Sequence, residues 1–349
     1  MAVNKKTIAI LAADRAAMKA LTDAQILAIV IGWTQAWDKL KPEYDMAIAE
    51  LLAQAKDGRV GAAQVRKSSR LRQALESTKE QLEALAELTN KTITVDLPDA
   101  ISAGGTTQVD AIRSQLPANK TALVAGWDRV SGEALAAIVE RTAERIHKST
   151  NTLLDDVERL MKRELVRGIA TGTNPKETAR RIVKGAEGRF NGGLTRAMTI
   201  ARTETLSAHR EASLQSALAS KDVLANWRWS CALSGRTCPA CLAMNGQTFP
   251  TETTGPDGHQ NCRCARVDIT KSWAELGFTG ITEPDDIFPD AQAWYENLTP
   301  DSQTKIMGKT RRDLLVKDEI EWSDLAKRQD NPGWRQSYVV TPLKDLKPS

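Results

Sequence analysis

Hydrophobic residues recur at helical spacing through the first 90 residues of the chain. Thr22 and Asp23 can cap a helix that runs from Ala24 to Leu40, and Pro42 can begin the next helix. Farther along, leucines form a stripe among Glu and Lys residues, at Leu71, Leu75, Leu82, Leu85 and Leu88. Such a stripe is typical of the contact between packed helices. Residues 1–90 are therefore predicted to form an N-terminal helical region.

The helical pattern stops over residues 91–120. Thr92 to Val95 alternates between polar and apolar side chains, as a short strand does. Residues that favour turns then follow, at Pro98, Gly104, Gly105 and Pro117. This segment is predicted to be a linker or an extended arm.

Helical spacing resumes over residues 121–220, which are predicted to form a helical domain. Asn174 before Pro175 is a helix cap followed by proline at the first helical position, and this helix is expected to end near Lys184. A turn is then predicted by three glycines, at Gly188, Gly192 and Gly193. A last helix is expected to end near Ser220.

Strand-like alternation enters in the last third of the chain. Trp227 and Trp229 alternate with polar residues, as in a strand with one buried face, and residues 263–269 have the pattern of a returning strand. A small α+β lobe is therefore predicted over 221–275. The remaining residues, 276–349, are predicted to be a C-terminal tail of loops and short helices. The predicted fold class is mainly α.

Composition and charge limit the classes of function that the chain can have. Hydrophobic residues make up 41% of the chain and aromatic residues only 5%, which suits long helices with small-residue packing. The net charge is only +4, but the segment 176–210 holds eight basic residues against three acidic ones. Such a helical face can meet DNA phosphates or an acidic protein, or can simply be solvated. The candidate contacts are Lys176, Arg180, Arg181, Lys184, Arg189 and Arg196.

Targeting signals and membrane spans are not predicted. The N-terminal apolar run stops at Asp14 and Arg15, and the apolar run Ile26–Trp33 is similarly short. The chain is expected in the cytoplasm at synthesis, without a membrane partner. Thiols stay reduced there, which favours a bound metal over disulfides.

Four of the five cysteines and one of the three histidines lie within 27 residues. A Cys-x2-Cys pair can supply two corners of a tetrahedral zinc site, and Cys-x-Cys or His-x2-Cys can supply the others. The favoured ligands are Cys238, Cys241, Cys262 and Cys264, with His259 competing for one corner. Four protein ligands close such a site, so the zinc is expected to be structural, with disulfides or free thiols as alternatives. Cys231, outside this spacing, is expected to be a small buried residue.

The sequence supports a catalytic site less than it supports a structural metal site. The sequence around His259 resembles part of a zinc-containing HNH nuclease site, but His147 and His209 lie on separate predicted helices. His259 is too close in sequence to Cys262 to indicate a catalytic pair. Arg202 and Glu204 face different directions on one helix, which suits salt bridges better than catalysis. The chain is predicted not to be an enzyme.

Five sequence motifs follow one another in a fixed order: Ile200–Glu204, Trp227-x-Trp229, Gly235–Cys241, Gly246-x-x-Phe249 and His259–Cys264. Their order and spacing resemble the phage Mu F-like head morphogenesis family, also called minor head or minor capsid proteins. The resemblance covers roughly residues 150–335 and extends into the tail at Trp294, Tyr295, Leu298, Gln303, Ile306, Gly308, Arg311, Asp324 and Leu325.

The resemblance implies a structural protein, present in a few copies inside the procapsid near the portal vertex. It also implies metal binding by the cysteines, and association with DNA in some members. Ser234 stands where relatives often carry an acid, so Arg236 is expected to need another partner, for which Glu204 is a candidate. The residues assigned to the structural motif are Arg202, Thr203, Glu204 and Arg236.

The expected function is that of a minor head protein of a tailed phage, located in the capsid near the portal. It is expected to act in head assembly, genome packaging or genome delivery. The expected partner is the portal protein, with the major capsid protein, a scaffolding protein and double-stranded DNA as further candidates. The alternative is a DNA-binding protein that acts on the packaged genome, and a zinc-dependent HNH-like nuclease is less favoured.

Overall fold

The structure is a computed structural model that divides into two compact units. It describes residues 3–54, 64, 67–117, 132–170, 175–331 and 335–346, without the side chains of 162–170 and 175–182. Unit 1 comprises residues 1–19, 98–138 and 206–349, and unit 2 comprises residues 20–97 and 139–205.

Long helices make up most of the described chain. They are α1 (Lys5–Ala53), α2 (Ser69–Val95), α3 (Leu97–Ser114), α4 (Gly132–Ala170) and α5 (Pro175–Ala219). The predicted mainly α fold is confirmed. The breaks predicted at Pro42 and around Gly192 are wrong, because α1 and α5 run through them without interruption. A proline inside a helix removes one backbone hydrogen bond, and the complete burial of Leu40 and Tyr44 on either side of Pro42 offsets that loss.

Unit 2 is a bundle of four helical segments from α1, α2, α4 and α5. Successive segments around the bundle are joined by polar side chains: Tyr44 with Thr78, Asn90 with Thr150, Asp156 with Arg196, and Thr205 with Gln25. Leu82 and Leu85 of the predicted leucine stripe are buried in this bundle. The stripe is therefore a helix contact, as its spacing indicates.

An aromatic cluster fills one layer of this bundle. The ring of Phe190 lies 4.7 Å from that of Trp33 and 5.3 Å from that of Trp37. A Cβ atom added at Gly193, one turn farther along α5, would lie 2.6 Å from Trp33 and 2.8 Å from Val157. Gly193 therefore allows three helices to approach closely, and it does not mark a turn.

The predicted linker over 91–120 is wrong as far as Ser114, because α2 continues to Val95 and α3 begins at Leu97. Ile93 and Leu97 are fully buried, so tertiary packing decides in favour of helix over the strand-like alternation. Gly104 also has a packing role: an added Cβ atom would lie 3.0 Å from the carbonyl carbon of His209.

A small antiparallel sheet forms the centre of the Cys/His lobe in unit 1. The elements of the lobe are β1 (Leu224–Ser230), α6 (Pro239–Met244), β2 (Thr248–Phe249) and β3 (Ala265–Thr270). The strand order in the sheet is β2-β1-β3. Trp227 is paired with Phe249 across the sheet, and both Trp227 and Trp229 are buried. The two predicted strands are thus present.

The C-terminal tail adds several short elements to unit 1. They are α7 (Ala291–Glu296), α8 (Pro300–Met307), α9 (Lys309–Val316), β4 (Ala326–Gln329) and β5 (Ser337–Val340). Tyr295 and Leu325 of the tail share one hydrophobic core with Trp229 and Leu242 of the lobe. The tail therefore contributes to the core of the lobe.

Among the described helices, α1 is long and apolar enough to cross a membrane, with a mean hydropathy of 1.3 over one 18-residue window. Core helices of soluble proteins and N-terminal signal sequences meet the same criterion. The expectation that the protein has no membrane partner stays a prediction.

Candidate metal centre

The five predicted ligands lie together in unit 1. They form two groups of three, Cys238 with Cys241 and His259, and Cys241 with Cys262 and Cys264. Within each group the ligand atoms lie within 4.8 Å of one another. Cys241 belongs to both groups and therefore stands at the centre of the cluster.

The first ligand pair is positioned by the start of α6. Cys238 is the N-cap residue, Pro239 follows at the first helical position, and the Cys238 Sγ accepts a hydrogen bond from the Cys241 amide at 3.4 Å. Proline suits this position because the first helical N–H has no partner within the helix. The local sequence Cys-Pro-x-Cys therefore folds into a turn that brings both sulfurs to one side.

The other three ligands, His259, Cys262 and Cys264, lie on a tight turn before β3. The Cys262 amide donates to the His259 carbonyl at 3.1 Å, and Asn261 between them has a left-handed φ of 63°. Asparagine is one of the few residues that adopt this conformation readily. A Cβ atom added at Gly258 would lie 2.6 Å from the Cys262 Cβ, so only glycine fits there. Gly258 was not among the predicted site residues, because the need for glycine there depends on this tertiary approach.

The distances suit a tetrahedral metal better than a disulfide. The Cys241 and Cys262 sulfurs are 3.7 Å apart, and the His259 Nε2 lies 3.5 Å from the Cys241 Sγ. Ligands of a tetrahedral zinc are separated by about 3.8 Å for two sulfurs and about 3.5 Å for sulfur and nitrogen. A disulfide needs about 2.05 Å, and all five cysteines are free. The disulfide alternative is therefore not supported.

His259 is oriented as a metal ligand. Its Nδ1 donates to the Gln260 carbonyl at 2.6 Å, so the Nε2 faces the sulfurs and is the nitrogen available to a metal. The Nε2 lies 3.1 Å from the Cys238 Sγ. Metal-binding histidines usually donate their second nitrogen in this way, and this fixes the tautomer.

Contacts within the cluster lower the thiol pKa of Cys238 and Cys262 and raise the thiol pKa of Cys241 and Cys264. The hydrogen bond from Cys241, followed by the contact with His259, lowers the pKa of Cys238 to about 5. The hydrogen bond from Cys241 likewise lowers the pKa of Cys262. In turn, the hydrogen bond with Cys238 raises the pKa of His259 to about 9. Because thiolates and neutral imidazole are the metal-binding forms, Cys238 and Cys262 are ready to bind a cation, and a metal must displace protons from Cys241 and His259.

Comparison with known proteins finds one family model that matches the segment containing this cluster. Residues 160–267 match the family model described as Phage Mu protein F like protein. This part of the chain is similar to that family. The matched segment includes all five predicted ligands and the residues 200–204. No curated protein and no solved structure matches the chain significantly.

The Mu F-like match confirms the resemblance found in the sequence over residues 160–267, and it indicates a phage head morphogenesis protein. The matched segment is shorter than the predicted range of about 150–335. The tail, residues 276–349, lies outside it, so the resemblance of the tail stays a prediction.

Two residues of the structural motif in the Mu F-like segment, Arg202 and Glu204, form salt bridges. Glu204 accepts a hydrogen bond from the Arg145 Nε at 3.1 Å, and Arg202 lies 3.8 Å from Asp23. Thr203 between them is buried. Glu204 is therefore paired with Arg145, which corrects its predicted role as partner of Arg236. Arg236 is exposed, so water can satisfy its guanidinium without an acidic partner.

Three of the six candidate contacts of the basic segment have described side chains, and the prediction of a basic surface stays a prediction. Lys184, Arg189 and Arg196 are exposed on α5, and Arg196 forms an ion pair with Asp156 at 2.7 Å. Arg210, which the sequence count included, is only 8% exposed and belongs to the metal centre. The side chains of Lys176, Arg180 and Arg181 lie outside the described residues.

The other cysteine and the other histidines have separate environments. Cys231 is buried as predicted, and burial raises its pKa to about 12. His209 is buried in unit 1 with its Nε2 2.9 Å from the Asp14 Oδ1, and His147 contacts Asn151 in unit 2. Among the described residues, neither histidine belongs to a group that could hold a metal.

Proposed function

We propose that this protein is a minor head protein of a tailed phage, located inside the capsid near the portal. The observation that carries the proposal is the Mu F-like match over 160–267, which coincides with the Cys/His cluster. Its role there is structural, in head assembly and in genome packaging or delivery. The helical bundle of unit 2 supports this role, because long helices offer extended surfaces for contacts between subunits.

The metal in this proposal is a structural zinc ion held by Cys238, Cys241, His259 and Cys262. The distances around Cys241 and the orientation of His259 support this set. It differs from the four-cysteine set favoured by the sequence, because it places Cys264 beside the site. Four protein ligands leave no open coordination position, so such a site holds the fold together and does not activate water.

The expected partner is the portal protein, with the major capsid or scaffolding protein as further candidates. A test uses the phage that carries this gene, with the gene deleted and then supplied in trans as the wild type or as Cys238→Ser. Deletion is expected to reduce infectious particles, and the protein is expected to be present in procapsids and to co-purify with the portal. Procapsids and virions that both lack the protein would contradict the proposal.

A second candidate function is binding to the packaged DNA. Its support is the group of exposed basic residues on α5, at Lys184, Arg189 and Arg196. Arg189 and Arg196 are seven residues apart and therefore lie on the same face of the helix. The ion pair between Arg196 and Asp156 reduces the charge available to phosphates. We therefore rank DNA binding below the structural role.

A further inference from the structure

Arg210 connects α5 to the backbone of the metal-binding turn. Its Nε donates to the Cys264 carbonyl at 3.0 Å, and its Nη2 donates to the Cys262 carbonyl. The residue is only 8% exposed, so these bonds form away from bulk water. A planar guanidinium that holds two carbonyls on one short segment fixes both the position and the direction of that segment.

The residue before Arg210 connects α5 to the helices of unit 1. The His209 Nε2 lies 2.9 Å from the Asp14 Oδ1 on α1, and the same oxygen accepts a hydrogen bond from the Thr107 Oγ1 on α3 at 3.0 Å. Arg15, which follows Asp14, donates to the Ser230 Oγ at the end of β1. On α1, Asp14 therefore contacts the other helices and Arg15 contacts the lobe. On α5, His209 contacts the other helices and Arg210 contacts the lobe.

Charge gives these two arginines a second role. A zinc ion with three thiolates and one imidazole has a net charge of about −1, and its surroundings here are largely buried. Arg210 is bound to the ligand segment, and Arg15 interacts electrostatically with Cys264 and Cys231. A nearby cation stabilises an anionic centre strongly where the local dielectric constant is low.

We propose that Arg210 is a positioning residue that couples zinc binding by the lobe to the packing of α1, α3 and α5 within unit 1. The proposal rests on the zinc site of the proposed function. Without the metal, the turn 259–264 loses its fixed shape, and the two carbonyls no longer hold the guanidinium. A buried, unpaired cation is costly, so the contacts around His209 and Asp14 loosen as well.

The test uses the full chain with Arg210→Met, Arg210→Lys and, as a matched control, Arg236→Met. Arg236 is an exposed arginine just before Cys238 in the same lobe. Zinc affinity is measured by competition with a chromophoric chelator, and hydrogen exchange is measured with and without chelator. Loss of an outer-shell partner is expected to lower zinc affinity by about 10- to 100-fold in Arg210→Met. Arg210→Lys keeps the charge but not the two-pronged geometry, so a smaller loss is expected, and Arg236→Met should bind as the wild type does.

Hydrogen exchange gives the readout specific to coupling. In the wild type, chelation is expected to speed exchange in residues 206–219 and 5–19 as well as in 238–264. In Arg210→Met, only 238–264 should still respond. If Arg210→Met is insoluble, the zinc affinity of Arg210→Lys is the test. A reduced affinity supports the proposal, and an unchanged affinity contradicts it.

Wild-type zinc affinity in the Arg210 variants, or an unchanged exchange rate in 206–219 on chelation of the wild type, would overturn the coupling while leaving the zinc site intact. A wild type that binds no zinc would overturn both the zinc site and the coupling. The location of the protein in the phage head is tested separately.

Discussion

Gly258 lies so close to Cys262 that a Cβ atom added to the glycine would come within 2.6 Å of the cysteine Cβ. The backbone before His259 therefore passes directly over a ligand of the candidate metal centre. This approach ties the conformation of the turn to the position of one sulfur.

Replacing Gly258 with alanine should therefore disturb the metal centre. Overpacking of this kind typically costs about 1–3 kcal/mol. We expect Gly258→Ala to lower the thermal stability of the zinc-loaded protein and to weaken zinc binding. The matched control is Gly235→Ala, because an added Cβ atom at Gly235 meets nothing within 4 Å. Equal melting temperatures for the two variants would contradict the close packing at Gly258.

Zinc removal should unfold the Cys/His lobe locally. Protein from a reducing cytoplasm is expected to contain about one zinc per chain, bound through thiolates. Binding should weaken as the pH falls, because protons compete with the metal for the same sulfurs. The measurements are metal content by mass spectrometry and near-ultraviolet circular dichroism on chelation. Metal-free protein with an ordered lobe would exclude a structural zinc.

The ligand set can be tested by comparing two variants. We expect His259→Ala to lower zinc affinity by more than Cys264→Ser does, because the His259 Nε2 lies within 3.5 Å of two sulfurs. Affinity is measured by chelator competition on the full chain. A greater loss in Cys264→Ser would restore the four-cysteine set favoured by the sequence.

Two neighbouring glycines on α5 should respond in opposite directions. Gly193→Ala places a methyl group against Trp33 and Val157 and should destabilise unit 2 by about 1–3 kcal/mol. At Gly192 an added Cβ atom meets open space, so alanine should stabilise the helix by about 0.5–1 kcal/mol. Chemical denaturation measures both free energies of unfolding. Stabilisation by Gly193→Ala would contradict the close helix contact.

Alkaline pH should destabilise unit 2 through Tyr44. Burial raises the pKa of this phenol to about 12, above its ordinary value of about 10. The phenol must be neutral in the folded state, so its contribution is complete below pH 10 and is lost as the pH rises towards 12. Each pKa unit corresponds to about 1.4 kcal/mol. Tyr44→Phe should lose less stability than the wild type between pH 9 and 11.5, measured by urea unfolding, and equal losses would contradict this role.

The DNA-binding alternative predicts a characteristic dependence on salt. The logarithm of the affinity for duplex DNA should fall linearly with the logarithm of the salt concentration, by about 0.9 per phosphate contacted. Replacing Lys184, Arg189 and Arg196 with glutamine should reduce this slope. The control replaces three exposed lysines elsewhere in unit 2, at Lys39, Lys41 and Lys79. Equal slopes for the two variants would assign the basic surface to another role.

Local patterns in the sequence predicted much of the candidate metal centre. Cys-Pro-x-Cys forms its own helix cap and first turn, so the closeness of Cys238 and Cys241 follows from four consecutive residues. The alternation at Trp227 and Trp229 likewise predicted β1. The order of such motifs also indicated the Mu F-like family, which the match over 160–267 confirms.

Breaks in the long helices were predicted incorrectly for one physical reason. Proline and glycine weaken an isolated helix, but packing against neighbouring helices decides whether the helix continues. Pro42 lies between the fully buried Leu40 and Tyr44, and Gly193 lies under Trp33. In both cases the stabilising contacts come from residues far away in the sequence, so no local pattern contains them.

The sequence by itself determined the helical class, the short strands of the lobe and the clustering of the metal ligands, because these depend on spacings of a few residues. Only the tertiary structure decided the role of Arg210, whose bonds reach the Cys262 and Cys264 carbonyls more than 50 residues away. In the sequence, Arg210 is only one of the eight basic residues in the segment 176–210. Its burial against backbone carbonyls depends on how the helix and the lobe pack, and that packing makes it part of the metal centre.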